Sequence, residues 1–327
     1  MRTRLTELLG IEHPVMLAGM GGVSYSTLVA AVSEAGGIGC LGASTMIMQG
    51  QMEAEIARVR ELTDKPFGVD LLTAMPGDLI RQVEAIIEGG AKMFVAGLGV
   101  PSEVIDLCHQ HDVIVVNMCG KVVHAVRAVE AGCDLVVAQG TEAGGHTGTV
   151  ATMPLVPQIV DAVGDRVPVV AAGGIFDGRG LAAALALGAD GVWVGTRFIA
   201  TPEARAVPGY KDALLRTAED GTVISRAYSG KTMRVVRNSY TDWWEQHHEE
   251  LKKFPEQLGR AVSDGALHLG GGPDDDVDPD KECYPAGQGV GAIDELIPAG
   301  DLVRKFVAEA EAVLERLQPL RSPAKIC

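Results

Sequence analysis

The chain has 327 residues, and 47% of them are hydrophobic, so it can bury a sizeable core and is not globally disordered. With 28 Lys and Arg against 43 Asp and Glu, the formal net charge is −15. A surface this acidic repels nucleic acid and anionic lipid, which excludes both as expected partners, while a local site can still bind a single phosphate.

The cysteines and the amino terminus indicate a cytoplasmic protein. No two cysteines form a CxxC pair and most lie in apolar runs, so we expect small buried side chains in a reducing compartment. The first ten residues, MRTRLTELLG, contain no long apolar stretch, so no secretory signal is expected. The longest apolar runs are strand-sized, so no membrane span is expected. The cysteines are Cys40, Cys108, Cys119, Cys133, Cys283 and Cys327.

One alternation of short apolar runs and helical patterns repeats from residue 15 to about residue 195. The runs are apolar throughout, which is typical of parallel strands covered on both faces. About eight such units predict a (β/α)8 TIM barrel, with a doubly wound sheet as the second choice. The predicted strands are 15–19, 38–42, 67–72, 93–99, 113–118, 135–140, 168–175 and 191–195.

Beyond residue 200 this alternation stops. A predicted helix, TDWWEQHHEELKKF, and a polar loop, GGGPDDDVDPDKEC, precede a closing helix, DLVRKFVAEAEAVLERL. We therefore expect residues 1–209 and 301–327 to form the barrel and residues 210–300 to form an appended segment that covers its mouth. The acidic run lacks the spacing of a calcium loop, so we expect a solvated loop and no metal site.

A single histidine stands in the stretch AQGTEAGGHTGT, residues 138–149, after the sixth predicted strand. The loops at the carboxyl ends of barrel strands build active sites, so His146 is the candidate catalytic base. An imidazole titrates near pH 6.5 and accepts a proton at neutral pH. We interpret the surrounding glycines as clearance for a flat ring, the alternative being a plain turn. The remaining histidines considered, for which surface or packing roles are expected, are His109, His111, His124, His247 and His248.

Glycines also follow the seventh and eighth strands. Gly173-Gly174 and Gly195-Thr196 stand where barrels often bind phosphate through backbone N–H groups, although tight turns alone would also need glycine. The first strand ends in another glycine loop, Ala18 to Gly22. A flat ring over the first strand with a phosphate at the last two is the shape of flavin mononucleotide, FMN.

Three stretches resemble a known family. HPVMLAGM, EAGGHTG and AAGGIFDGRGLAAALALGADGVWVGTRF are similar to nitronate monooxygenases, formerly called 2-nitropropane dioxygenases, and to the related flavin-dependent enoyl-ACP reductases. The likeness covers residues 1 to about 240 and implies a barrel that binds FMN non-covalently, with the histidine over the flavin.

The resemblance also implies roles for particular residues. Ala18, Gly19, Met20 and Gly145 would contact the flavin ring. The phosphate would be held by Gly173, Gly174, Gly195 and Thr196. Asp70 and Gln139 would stand beside the ring, at positions where the reductase branch more often has Asn and Glu.

Three functions remain open from the sequence. The first is a nitronate monooxygenase that converts alkyl nitronates and O2 to a carbonyl compound and nitrite, with His146 as base. The second is an enoyl-thioester reductase that uses NAD(P)H, in which His146 would stabilise or protonate an enolate. The third is a flavin-free barrel that binds a phosphorylated metabolite. The expected partners are a small-molecule substrate and O2, and a homodimer is compatible with such a barrel.

Overall fold

The computed structural model describes residues 1–73, 78–97 and 99–318, in which eight parallel strands form one sheet. Their order is β1-β9-β8-β6-β5-β4-β3-β2. A parallel bridge from Met16 to Ile38 joins the two outer strands, so the predicted barrel is confirmed. The strands are β1 Val15–Leu17, β2 Gly39–Gly42, β3 Phe67–Leu71, β4 Met93–Ala96, β5 Ile114–Cys119, β6 Leu135–Gln139, β8 Val169–Ala172 and β9 Gly191–Val194, while β7, Gly145–His146, lies outside the barrel.

All eight predicted strands exist, and their ends differ from the predictions by up to three residues. The first strand stops at Leu17 because the next residues turn, with the Met20 N–H donating to the Ser24 hydroxyl over 2.7 Å. The eighth predicted run likewise ends at Val194, before a short helix. The residues Ala18-Gly19 and Gly195, which close the first and eighth predicted runs, therefore belong to the loops.

Helices alternate with the strands around the barrel wall. Amphipathic sequences such as LIRQVEAIIE place their apolar residues on the face that packs against the sheet. The helices of the barrel region are α1 Arg4–Leu9, α2 Ser26–Glu34, α3 Ala43–Met48, α4 Met52–Leu62, α5 Leu79–Glu88, α6 Ser102–Gln110, α7 Val122–Glu130, α8 Thr152–Val163, α9 Gly178–Ala186 and α10 Thr196–Ile199.

The barrel interior is filled with side chains and closed at its amino end by α1. Leu5, Leu9 and Ile11 pack in one cluster with interior strand residues such as Met16 and Trp193. The Arg4 guanidinium donates to the Asp190 carboxylate from Nε at 3.1 Å and from Nη2 at 2.8 Å, which fixes α1 to the loop before β9. The carboxyl end of the barrel is therefore the open end.

The elements between the barrel and the last helix build a second sheet and a small core over that open end. Antiparallel strands β10 and β11 form a three-stranded sheet with β7 of the barrel loop. Tyr228, Tyr240 and Trp244 are the large members of the small core. The elements are α11 Tyr210–Arg216, β10 Thr222–Ser225, β11 Met233–Val236, α12 Ser239–Gln246, α13 Glu256–Ser263 and short 3-10 helices at His248–Glu250 and Gln288–Ala292.

The last helix, α14 Ala299–Leu317, packs on the barrel wall against α9 and α2. Glu309 of this helix accepts the Gly178 N–H at the start of α9 over 2.9 Å. The closest approach is at Gly178, where a Cβ atom would lie 2.4 Å from the Phe306 carbonyl oxygen. Residues 319–327 of the predicted barrel region lie outside the described residues.

Five cysteines are buried as free thiols, as the sequence predicts, and Cys327 lies outside the described residues. Burial raises the pKa of Cys108, Cys119 and Cys133 to about 12, so these thiols are protonated near neutral pH. In the described part of the chain, no helix is both long and apolar enough to cross a membrane.

Candidate functional site

One large cavity, of about 560 Å³, opens at the carboxyl ends of the barrel strands. This volume lies within the range of small-molecule and cofactor pockets. The appended segment forms the other wall, through residues that include Tyr228, Lys231 and His268. All eleven residues singled out from the sequence line this cavity, namely Ala18, Gly19, Met20, Asp70, Gln139, Gly145, His146, Gly173, Gly174, Gly195 and Thr196.

His146 is held between the barrel and the appended segment. Its backbone pairs with Met233 of β11, and its Nε2 atom lies 2.8 Å from the Ser229 hydroxyl oxygen. That hydroxyl also lies 3.3 Å from the Lys231 carbonyl oxygen. When the single hydroxyl proton is donated to this carbonyl, Ser229 accepts the Nε2–H of His146 and the Nδ1 lone pair is the basic site.

The surroundings of His146 favour the neutral imidazole. Burial lowers its pKa, and the nearby Lys231 ammonium lowers it further. The side chain itself remains accessible from the cavity. Protein therefore surrounds the ring while leaving a substrate access to it, and near neutral pH the group is a base.

Gln139 connects the end of β6 to the loop that carries His146, called the histidine loop below. Its side-chain Nε2 donates to the His146 carbonyl oxygen over 2.8 Å. The amide therefore fixes the loop as well as lining the cavity, and a Glu at this position could not donate the same hydrogen bond.

Asp70 carries a carboxyl at the end of β3 that faces the cavity. Burial raises its pKa to about 8. No hydrogen bond to a described residue contributes to this shift, which burial alone causes. A Cβ atom on Gly19 would lie 2.3 Å from the Asp70 Cβ, so the first-strand loop needs glycine there to pack on this side chain. The site thus contains a neutral acid beside the first-strand loop.

Four residues that line the cavity after the last two barrel strands have backbone N–H groups without a partner among the described residues. Those of Gly173, Gly174, Gly195 and Thr196 donate to no acceptor in the described part of the chain. Gly173 and Gly174 have positive φ angles of 106° and 71°, a conformation that favours glycine. A phosphate group binds to unpaired N–H groups of this kind, so this end of the cavity fits the FMN phosphate.

The sequence predicts that the glycines around His146 provide clearance for a flat ring, but the structure gives other reasons for three of them. A Cβ on Gly144 would lie 2.8 Å from the Ala286 carbonyl carbon of the appended segment. At Gly140 the Cβ would lie 2.1 Å from the Thr152 hydroxyl, and Gly145 has a φ of +74°. Close approach of protein to protein therefore explains Gly140 and Gly144, and backbone conformation explains Gly145.

Sequence patterns did not single out four cavity residues of the appended segment. They are Ser229, Lys231, His268 and Glu282. No local motif marks them, because they reach the cavity through the pairing of β11 with β7 and the packing of the 266–285 segment.

The other histidines considered lie away from the cavity. His109 contacts the Asp134 carboxylate, with 3.0 Å between Nε2 and Oδ2, and His247 stacks on Trp243. Trp244 is buried in the small core. No cluster of three metal-ligating side chains occurs in residues 1–73, 78–97 and 99–318.

Comparison with known proteins identifies relatives over nearly the whole chain. A family model described as nitronate monooxygenase matches residues 2–79 and 71–309. A Mycobacterium tuberculosis protein, (3aS,4S,5R,7aS)-5-hydroxy-7a-methyl-1-oxo-octahydro-1H-indene-4-carboxyl-CoA dehydrogenase, is 42% identical over 243 residues, which cover 74% of this chain and 68% of that protein.

Two solved structures are similar along the full length. FabK from Thermotoga maritima has a TM-score of 0.88 at 34% identity, covering 98% of this chain and 100% of that one. Nitroalkane oxidase from Streptomyces ansochromogenes has a TM-score of 0.82 at 30% identity, covering 96% and 99% respectively. At these coverages both alignments extend over the barrel and over most of the appended segment.

Proposed function

Because this chain belongs to the nitronate monooxygenase family, we propose that it is an FMN-dependent enzyme that oxidises alkyl nitronates with O2 to a carbonyl compound and nitrite. The observation that carries the proposal is the neutral imidazole of His146, held by Ser229 at the cavity wall with a lysine ammonium nearby. FMN, when bound, supplies the electron acceptor that the side chains themselves lack.

The residues that line the cavity support a position for each part of FMN. Ala18, Gly19, Met20 and Gly145 would contact the ring, with Asp70 and Gln139 beside it. The unpaired N–H groups after β8 and β9 would hold the phosphate. The appended segment, residues 210–300, would face the substrate and set the size of the pocket.

His146 would act on the α-carbon of a neutral nitroalkane. It takes the α-proton, and the electron pair of the broken C–H bond becomes part of the nitronate, which carries a negative charge on its two oxygens. The Lys231 ammonium is close enough to His146 to lower the pKa of the imidazole. The same charge would stabilise the nitronate as it forms. A positioned base of this kind contributes about 10²–10⁴ in rate.

A second candidate is an enoyl-thioester reductase that uses NAD(P)H. The similarity to FabK favours it, since it extends over 98% of this chain and includes the appended segment. The 42% identical relative is named as a dehydrogenase of a carboxyl-CoA compound, which also favours a thioester substrate. In that reaction His146 would stabilise or protonate the enolate that hydride transfer produces.

The deciding experiment compares two reductants under anaerobic conditions. The FMN-loaded protein is mixed with NADH or with a preformed nitronate such as propyl-2-nitronate, and flavin absorbance is followed. Rapid bleaching by the nitronate, followed in air by stoichiometric nitrite, supports the monooxygenase. Rapid bleaching by NADH alone, with turnover of an enoyl thioester, contradicts the monooxygenase function and supports the enoyl-thioester reductase. If the protein binds no flavin when FMN is supplied, both functions are contradicted. The remaining hypothesis is then the flavin-free barrel that binds a phosphorylated metabolite.

A further inference from the structure

A second histidine in the cavity is held by a buried carboxylate. His268 and Glu282 both belong to the appended segment and both line the cavity. The His268 Nδ1 atom lies 2.6 Å from Glu282 Oε2, and the His268 backbone N–H donates to Oε1 over 3.3 Å. Glu282 is only 2% exposed. His268 thus contacts both oxygens of this carboxylate.

The pair has a defined electrostatic arrangement. Burial raises the pKa of Glu282, while the hydrogen bonds and charge of His268 and a backbone hydrogen bond from Cys283 lower it, so His268 offsets part of the cost of burying this carboxylate. A carboxylate at Nδ1 fixes the orientation of the ring and supplies a negative charge beside it, and in a protonated imidazole both ring nitrogens donate. Nε2 has no hydrogen-bond partner in the described part of the chain, so a ligand in the cavity can meet it, and in the protonated ring it is a donor.

The loop that carries His268 is fixed against the barrel. The Gly270 carbonyl oxygen accepts from Arg205 Nη1 at 3.0 Å and from Gln49 Nε2 at 3.2 Å. A Cβ atom on Gly22 would lie 3.7 Å from the Gly270 Cα, so the loop packs beside the first-strand loop. His268 therefore stands at a set position above the end of β1, without any role in the proton transfer assigned to His146.

We propose that His268, positioned by Glu282, is an oxyanion-binding residue of this cavity that donates its Nε2–H to a planar, negatively charged pair of substrate oxygens. The proposal rests on the proposed function, because a nitronate carries such a pair. Glu282 is a positioning residue, since it acts only through the imidazole. The alternative is that Glu282 has only a structural role and holds the loop in place through the His268 backbone N–H.

Binding of a carboxylate tests the proposal without turnover, since a carboxylate has the same planar pair of charged oxygens as a nitronate. Butyrate is titrated into the full chain by calorimetry, with and without added FMN. Asn at position 268 keeps a donor near Nδ1 for Glu282 but has no group at Nε2, so His268→Asn should preserve the fold and weaken butyrate binding at least tenfold. The matched control, His248→Ala, alters an exposed histidine of the same segment and should bind as the wild type does.

Glu282→Gln separates charge from geometry. The amide oxygen of Gln still accepts a hydrogen bond from Nδ1 or from the backbone. If Glu282 had only a structural role, this variant would therefore bind butyrate as the wild type does. We expect binding to weaken several-fold, because the imidazolium loses its counter-charge. Melting curves of all variants establish that they are folded.

Three results would overturn the proposal. The first is a wild-type protein that does not bind butyrate, and the second is a His268→Asn variant that binds butyrate as tightly as the wild type. The third is a loss of butyrate binding in Lys231→Gln but not in His268→Asn, which would place the anion beside His146 instead. Failure of nitronate turnover with His268-dependent butyrate binding intact would instead refute the proposed function and leave the oxyanion site standing.

Discussion

The imidazole of His146, carried by the barrel, and the hydroxyl of Ser229, carried by the appended segment, are joined by a 2.8 Å hydrogen bond. The bond links the two walls of the cavity at the candidate base. It is supported on both sides, because His146 pairs with Met233 in the small sheet and Gln139 donates to the His146 carbonyl oxygen. The base is therefore oriented by groups from both parts of the chain.

Replacing His146 with Ala should separate proton removal from the later oxidation. Turnover of a neutral nitroalkane should fall about 10²–10⁴-fold, because the positioned base is lost. A preformed nitronate has already lost the proton and should react within a few-fold of the wild-type rate. Initial rates of nitrite formation on the two substrates measure the difference. His124→Ala is the matched control, and equal losses on both substrates would contradict the assignment of His146 as base.

Lys231→Gln should move the acid limb of the pH profile. The Lys231 charge lowers the pKa of His146, so removing it raises that pKa. The imidazole is then protonated at a higher pH, and kcat/KM for a neutral nitroalkane should begin to fall at a higher pH as the solution is acidified. The profile is measured from pH 5 to pH 8 beside Lys253→Gln, a control in the same segment. A limb that stays in place would show that Lys231 does not act on the base.

The barrel and the first wall of its cavity could be predicted from the sequence because the signals are local. Apolar runs ending in glycine mark the strands and their carboxyl ends, and that alone places His146, Gly173 and Gly195 around one cavity. The second wall has no such signal. Ser229 and His268 reach the cavity only through contacts between residues far apart in the chain, such as the 83-residue separation that the bond between His146 and Ser229 spans.

The glycines illustrate the same limit. A glycine in the sequence indicates that a side chain is excluded, but not what excludes it. The structure gives a different cause at each position, such as the Asp70 side chain at Gly19 and the backbone near Ala286 at Gly144. Only packing between elements that are distant in sequence decides which cause applies.

Asp70→Asn should stabilise the flavin-free protein in a pH-dependent way. Asp70 ionises near 3.8 in the unfolded chain but only near 8 in the folded one, so the wild-type protein loses stability as the pH rises through this interval. The variant should match the wild type near pH 4 and exceed it by about 1–3 kcal/mol at pH 8.5, a value reduced because the carboxyl faces an open cavity. Urea unfolding at both pH values measures this. Asp106→Asn is the exposed control, and a gain of the same size at both pH values would contradict the shift.

Gly174→Ala should weaken FMN binding through the phosphate rather than the ring. The residue has a φ of +71°, so an alanine there either strains the loop, at about 1–2 kcal/mol, or turns its N–H away from the cavity. Wild-type protein should bind FMN more tightly than riboflavin, which lacks the phosphate, and the variant should lose much of that preference. Flavin fluorescence titrations with both compounds measure the ratio. Gly188→Ala introduces similar strain, at a φ of +91°, in the loop between α9 and β9 at the opposite end of the barrel. If Gly174→Ala weakens riboflavin and FMN equally, as a general loss of stability would, then the N–H groups after β8 do not bind the phosphate.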